Sequence, residues 1–425
     1  MAKALSGILI ASIALFAAAH AAAQARDNFF ARDRNVAVME RARPGYQALG
    51  LPLGGFIAYP KLELGIENNS NIYATPNGAK GDSIGLINPE LDIMSRWSRN
   101  SLSAFVKGAS RQYATRTNES ATDWQLGGAG EVFVGDTTVD AGGAYGYFAT
   151  PRSASISGTT LNLITIHPVE YYRSDANFGL THTFNRLRIS GGVVYSNYDY
   201  QNGRNALGGT VLEKPFTQSQ TVASAKAEYA ISPDTAVYVT GAYNTIHYPN
   251  QLVGTLNRNS TGETYAIGAN FDISQLVRGD VQVGYLNQDF AASGFGSASG
   301  FSAKGKVQWF PTQLTTVTLI GARQINPATV AGSPAVLSGS VGGQVDHELL
   351  RNVILTALAH YQLDDYRGVD RHDRITELGL SGEYLLNRNI GVHLGYSYLK
   401  QDSSGLFRGL TFDVNRVMLS TTLQY

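Results

Sequence analysis

From Phe56 to the last residue the sequence alternates between segments of period-two hydropathy and turn-forming clusters, and the clusters themselves alternate between short and long. The short ones fall at residues 97–100, 135–136, 184–186, 232–234, 275–279, 311–313, 350–352 and 387–389. The others are polar or Gly/Ser-rich and mostly longer, around residues 69–83, 115–122, 149–167, 201–217, 248–261, 290–299, 325–334, 363–372 and 401–411. Strict alternation of the two kinds predicts about 18 antiparallel strands, with both chain ends on the short-turn side. A two-layer sandwich seldom runs beyond roughly 250 residues. A propeller would repeat a blade motif, and none recurs, so a soluble repeat architecture is the runner-up fold.

The segments read as strands with two unlike faces. Tyr265, Ile267, Ala269, Phe271 and Ile273 share one side, against Ala266, Gly268, Asn270 and Asp272 on the other. Ile390, Val392, Leu394, Tyr396 and Tyr398 oppose Gly391, His393, Gly395 and Ser397 in the same way. One face suits lipid and the other suits water. The composition agrees: charged residues are 16%, and 46 Gly, 23 Tyr and 17 Phe favour strands over helices. Lys plus Arg equals Asp plus Glu at 33 each, which gives no reason to expect nucleic acid as a partner. Cysteine is absent, which excludes disulfides and thiolate chemistry.

Lys3 precedes an apolar run from Leu5 to Ala19, and the small residues Ala21 to Ala23 follow. This is the pattern of a cleaved signal peptide over residues 1–23, with cleavage after Ala23 and Ala21 as the second choice. Residues 24–55 form a separate segment, rich in arginine (Arg26, Arg32, Arg34, Arg41, Arg43) and broken by Pro44, Gly45, Pro52, Gly54 and Gly55. It is expected to be periplasmic: an irregular lead-in, a plug or a docking arm. No later apolar run is long enough for a membrane helix, so a membrane form has to be a closed barrel. The fold class is therefore all-β: a single transmembrane antiparallel β-barrel over residues 56–425.

The chain ends on a strand in which Val417, Leu419, Thr421, Leu423 and Tyr425 share a face. A terminal tyrosine suits a strand that ends at a bilayer interface. This ending resembles the C-terminal signal of bacterial outer-membrane proteins, which implies recognition by the barrel-assembly machinery and outer-membrane lipid as surroundings. Trp124, Tyr145, Tyr147, Tyr285, Trp309, Tyr361 and Tyr398 are candidates for interfacial girdles.

A barrel of this size leaves an aqueous channel unless filled. Counting from the apolar face puts Lys61, Glu63, Glu90, Asp92, Lys107, Arg111, Arg173, Asp175, Arg188, Lys226, Glu228, Lys304, Lys306, Gln344, Asp346, Glu377, Glu383 and His393 inside. Both signs occur in similar numbers, which suits a neutral or mixed-charge hydrophilic solute rather than one ion sign. A one-residue slip in any strand would reverse its assignments.

Motifs for catalysis are missing. Residues 294–300 carry Ala298 where a nucleophile elbow needs serine, and the eight histidines show no metal-binding spacing. Asp364, Asp365, Asp370 and Asp373 could ligate calcium, but solvated acidic loops are the expectation. No enzyme activity, catalytic residue, metal or cofactor is expected.

The stretch from Asn35 to Tyr46, then Gly50-Leu51, Phe56 to Gly65 and Asn71 to Thr75, together with the turn at 97–100, resembles the start of a β-barrel porin family of Gram-negative outer membranes, often found in exopolysaccharide gene clusters. The resemblance is densest before residue 115. It implies passage of a polysaccharide or another hydrophilic solute across the outer membrane, with periplasmic polysaccharide-export components as partners. A passive general porin for small solutes and a structural or adhesive surface barrel are the alternatives.

Overall fold

The computed structural model describes residues 36–152, 165–251, 256–274, 276–328, 330 and 332–425. The expected signal peptide, the first part of the N-terminal segment, most of the 149–167 loop and Gln275 lie outside these residues.

Eighteen long strands make one antiparallel sheet. They are Phe56–Asn69, Asp82–Ser95, Ser101–Tyr113, Ala121–Val134, Thr137–Thr150, Val169–Phe184, Leu187–Tyr200, Gln218–Ser232, Thr235–His247, Ser260–Ile273, Val277–Phe290, Ser297–Thr312, Thr315–Pro327, Ala335–Leu350, Val353–Tyr366, His372–Leu385, Ile390–Ser404 and Phe412–Gln424. Each pairs with its neighbours in sequence, and the last returns to the first from Lys61↔Gln424 to Asn69↔Arg416. The sheet is thereby closed. A spanning sheet in lipid must close in this way, since an unpaired edge would leave its N–H and C=O groups without partners. The strand number expected from the turn pattern is the number observed.

The short connections are tight for a local reason. Gly135 sits at φ +60° and Asn185 at φ +42°, the left-handed conformation that two-residue hairpins demand and that Gly and Asn adopt most readily. A three-residue strand, Leu51–Leu53, folds back on Phe56–Ala58 just before the barrel begins.

Alternation along each strand separates the faces. Ile66, Ile267 and Leu380 are 59%, 62% and 61% exposed, which in water would be a large unburied apolar surface. In a bilayer it is the lipid contact. Aromatic residues cap this band: Trp124 packs edge-on to Tyr145 at 5.8 Å, Tyr145 stacks on Tyr172 at 6.0 Å, and Tyr265, Tyr285 and Phe301 lie abreast on three consecutive strands.

Candidate permeation path

Residues directly opposite one another in a ladder point to the same face, so the register carries a face assignment from strand to strand. Gln424 opposes Lys61, Lys61 opposes Glu90, Glu90 opposes Lys107, and Lys107 opposes Gln125. Further round, Arg188 opposes Glu228, which opposes Tyr238. Gln282 opposes Lys304, and His360 opposes Glu377. Followed around the closed sheet, these pairs put Glu63, Asp92, Arg111, Arg173, Asp175, Lys226, Lys306, Gln344, Asp346, Glu383 and His393 on the same face, opposite Ile66, Ile267 and Leu380. With the apolar face toward lipid, this polar face is the inner one.

Much of the charge on it is neutralised over short distances, although Lys304 and Lys306 have no carboxylate within 4 Å among the described residues. Lys61 lies 3.4 Å from Glu90, which Lys107 also contacts, and Lys107 reaches Asp92 at 3.8 Å. Arg111 pairs with Asp123 at 3.0 Å and donates to the Ala149 carbonyl at 2.9 Å. Arg173 holds Asp175 at 2.8 Å. Glu228, almost fully buried, accepts from Arg188 and Asn270 and has Lys226 at 3.7 Å, the latter also lying 4.0 Å over the Tyr238 ring. The charged partners sit on the same or adjacent strands, so their fields largely cancel along the wall instead of projecting across the lumen.

At the short-turn mouth, residues 36–48 run along the inner rim. The Tyr46 carbonyl accepts from Gln424 at 3.4 Å and the Pro44 carbonyl from Arg388 at 3.1 Å. Arg41 and Arg43 reach Glu348 at 2.9 and 3.2 Å, and Glu40 meets Arg278 at 2.6 Å. The Val38 amide donates to Thr316 Oγ1 at 3.0 Å, and the Val38 side chain is fully buried. The segment thus touches inward-facing groups on a run of strands on one side of the barrel.

At the long-loop mouth the loops fold toward the inner face. Ala74, at φ +50°, packs on the inward residues Ile375, Leu399, Phe412 and Val414. A second cluster joins Ala328, Val330, Val336, Tyr366 and Val369. Glu119 is clamped by Tyr73 Oη at 3.0 Å and Arg152 Nε at 2.9 Å, joining three loops. The Glu119 hydrogen bond raises the Arg152 guanidinium above its ordinary value, while burial and the same carboxylate raise the Tyr73 phenol. Burial pushes the Tyr248 phenol up to about 12.

One expectation needs correction. Asp364 and Asp373 are buried rather than solvated. Asp373 accepts from Arg371 at 2.7 Å and Tyr366 at 3.2 Å, and Asp364 accepts from Gln362 at 2.9 Å. Their lone pairs are already engaged, while Asp365 and Asp370 stay solvent-exposed as expected, with side chains 41% and 50% accessible; among the described residues no group of His, Cys, Asp or Glu is arranged to hold a metal ion. Ile320, apolar in sequence, faces inward between Lys306 and Gly342. Sequence reasoning also passed over Glu40, Glu348, Thr316 and Arg278. The arginine density of residues 24–55 was the one signal that this segment needed acidic partners.

No curated protein matches the chain. Among solved structures it is similar to OccK2 (OpdF) of Pseudomonas aeruginosa, in complex with glucuronate, at 12% identity and a TM-score of 0.49, covering 88% of this chain and 99% of that one. OccAB3 of Acinetobacter baumannii gives 11% identity and a TM-score of 0.48 over 88% and 100%. The siderophore receptor PirA of Pseudomonas aeruginosa gives 9% and 0.44 over 90% and 81%. Such likenesses describe barrel architecture alone. The model of the family described as "Putative beta-barrel porin 2" matches residues 43–425, and the chain belongs to that family of outer-membrane porins.

Proposed function

We propose that this porin-type barrel passes a sugar polymer outward, as the outer-membrane step of exopolysaccharide export. The observation that carries the reading is the locally neutralised inner wall. Paired charges such as Arg111–Asp123 and Arg173–Asp175 offer hydrogen bonds to hydroxyls without imposing one ion sign, which suits a long, hydroxyl-rich, weakly charged solute. Residues 36–48, held at the short-turn mouth beside the C-terminal strand, are in position to meet periplasmic export components. Val417, Leu419, Thr421, Leu423 and Tyr425 on the outer face of the last strand are the residues the barrel-assembly machinery would read.

The test is a deletion strain and its complemented counterpart, compared for polysaccharide in the medium and on the cell surface. Loss restored by complementation is the expected result; unchanged polysaccharide with an intact envelope removes the export role. A passive porin for small solutes draws on the same neutral wall. It predicts steady conductance in planar bilayers and ordinary polysaccharide output in the deletion strain.

A further inference from the structure

Near the long-loop mouth one seam of the wall comes apart. The strands Ser297–Thr312 and Thr315–Pro327 pair only from Ala303↔Arg323 to Thr312↔Thr315. Beyond Ala303 and Arg323, residues 297–302 keep their ladder with 284–289 and residues 324–327 keep theirs with 335–338, but the two strands no longer meet. The Phe310 amide donates to the Leu276 carbonyl, and the Glu348 amide to the Leu314 carbonyl. Bonding sides alternate along a strand, so even-numbered residues of these two strands bond away from the seam and odd-numbered ones bond across it. Ser299, Phe301 and Ile325 therefore turn their N–H and C=O groups into the gap, with no ladder partner opposite.

A second parting shows how the wall closes such a gap. Ala121–Val134 and Thr137–Thr150 lose their ladder beyond Trp124↔Tyr147, yet the Ala149 amide donates to Asp123 Oδ1 at 2.9 Å and its carbonyl accepts from Arg111 at 2.9 Å. Among the described residues no side chain does this for Ser299, Phe301 or Ile325. A cavity of about 190 Å³ lies there instead. Gln282, Ser302 and Gln324 line it from the lumen side. Ala303 and Arg323, in the row of Ile267 and Val283, line it from the lipid side together with Ile325. The cavity thus runs through the thickness of the wall. Arg323 has no carboxylate within 4 Å among the described residues, and a lone guanidinium on the lipid side is tolerated only where water or headgroups reach it. The lipid-side lip of the cavity is therefore hydrated.

We propose that this seam is a lateral portal between the lumen and the outer leaflet, and that it takes a single-chain amphiphile with a hydroxyl-rich head, a glycolipid. Unpaired backbone groups at membrane depth persist only where they line a polar cavity. Hydroxyls of the head, which donate and accept, pair with the backbone groups of Ser299, Phe301 and Ile325 and with the Gln282 and Gln324 amides. The tail leaves past Ala303 and Ile325 into lipid, where burial of its methylenes is favourable. The volume, smaller than that of a typical drug-sized pocket, admits one chain rather than several. The inference rests on the channel reading for the route by which the head arrives, and it deepens that reading: the sugar that passes carries a lipid at one end.

The chain has no cysteine, so single introduced thiols report cleanly. Q324C lies at the seam, and K306C faces the lumen where the same two strands are paired, opposite Ile320. Each variant is placed in vesicles and treated with hexadecyl methanethiosulfonate dissolved in the bilayer, and separately with a charged, water-soluble methanethiosulfonate. Heat-modifiable mobility on gels checks that each is folded. The water-soluble reagent labels both. Relative to that rate, the hexadecyl reagent labels Q324C at least about tenfold faster than K306C, since a paired wall bars hydrocarbon from the lumen. Excess hexadecyl glucoside slows the Q324C reaction and hexadecane does not. Equal relative rates at the two positions, or competition by hexadecane as strong as by the glucoside, overturns the portal. So does a Q324C thiol that the water-soluble reagent cannot reach, which would place it in lipid rather than on a passage. The export reading fails separately: the expected labelling with unchanged polysaccharide in the deletion strain keeps the portal and removes export, and a sealed seam with polysaccharide lost on deletion does the reverse.

Discussion

Arg41 donates to the Glu348 carboxylate at 2.9 Å across 307 residues of sequence, and Arg43 shares the same oxygen at 3.2 Å. Glu348 is buried by the segment it holds. Removing its charge leaves two guanidinium groups without their partner, a loss of about 3–5 kcal/mol for a buried pair. In E348Q the segment should come off the rim while the strand ladder stays intact. Trypsin should then cut after Arg41, which Ala42 follows, at least tenfold faster than in the parent, with barrel melting unchanged. Equal cleavage rates would show that Val38 and Thr316 hold the segment without the ion pairs.

The two faces of the wall should differ sharply in what they tolerate. Ile267 lies near the middle of its strand on the lipid side. An arginine there costs about 2–4 kcal/mol at bilayer depth. I267R is expected to lower the folded fraction seen by heat-modifiable electrophoresis after refolding into vesicles. K306Q, on the opposite face, should refold like the parent. Equal refolding of both variants would contradict the face assignment.

The wall was legible in the sequence because its causes are local. Turn residues such as Gly135 and Asn185 set hairpin lengths, and a period of two sorts Ile267 from Gly268 whatever the rest of the chain does. The mouths were not legible because their contacts are remote. Val38 meets Thr316 and Arg41 meets Glu348 only after the barrel has closed, and no periodicity records such a pairing. Asp373 shows the same limit: within a polar run it reads as solvated, yet Tyr366, Arg371 and Ser403 converge on it when two neighbouring loops fold together. Lys304 was recognisable as an inward charge, but the parting of its strand from Thr315–Pro327 leaves no mark in the alternation.

Glu213, in the 201–217 loop, gives this mouth a pH dependence. Burial raises its carboxyl above the ordinary glutamate value. The folded loop thus holds the proton more tightly than the unfolded chain does, so its stability falls as pH rises from the ordinary value through the raised one. Amide exchange in residues 205–216, corrected for intrinsic rate, should speed up across that window. E213Q should flatten the response and resemble the parent at low pH. A parent loop that exchanges more slowly at higher pH would reverse the sign and refute the assignment.

Arg152 controls the same long-loop mouth by a separate set of contacts, at the end of the barrel opposite Arg41 and Glu348. Its guanidinium and the Tyr73 hydroxyl both engage the buried Glu119, and Arg152 also stacks 5.2 Å over the Tyr73 ring. R152Q leaves a buried carboxylate with only a phenol, again a loss of about 3–5 kcal/mol. Residues 70–81 and 114–120 should then exchange their amides faster, and bilayer conductance should rise if these loops narrow the path. The clamp shares no partner with the Arg41–Glu348 contact, so the two changes should add in an R152Q/E348Q variant. Trypsin cleavage after Arg41 should therefore be the same in R152Q as in the parent. Faster cleavage in R152Q would mean that loosening one mouth releases the other, which would make the barrel a coupled two-gate channel.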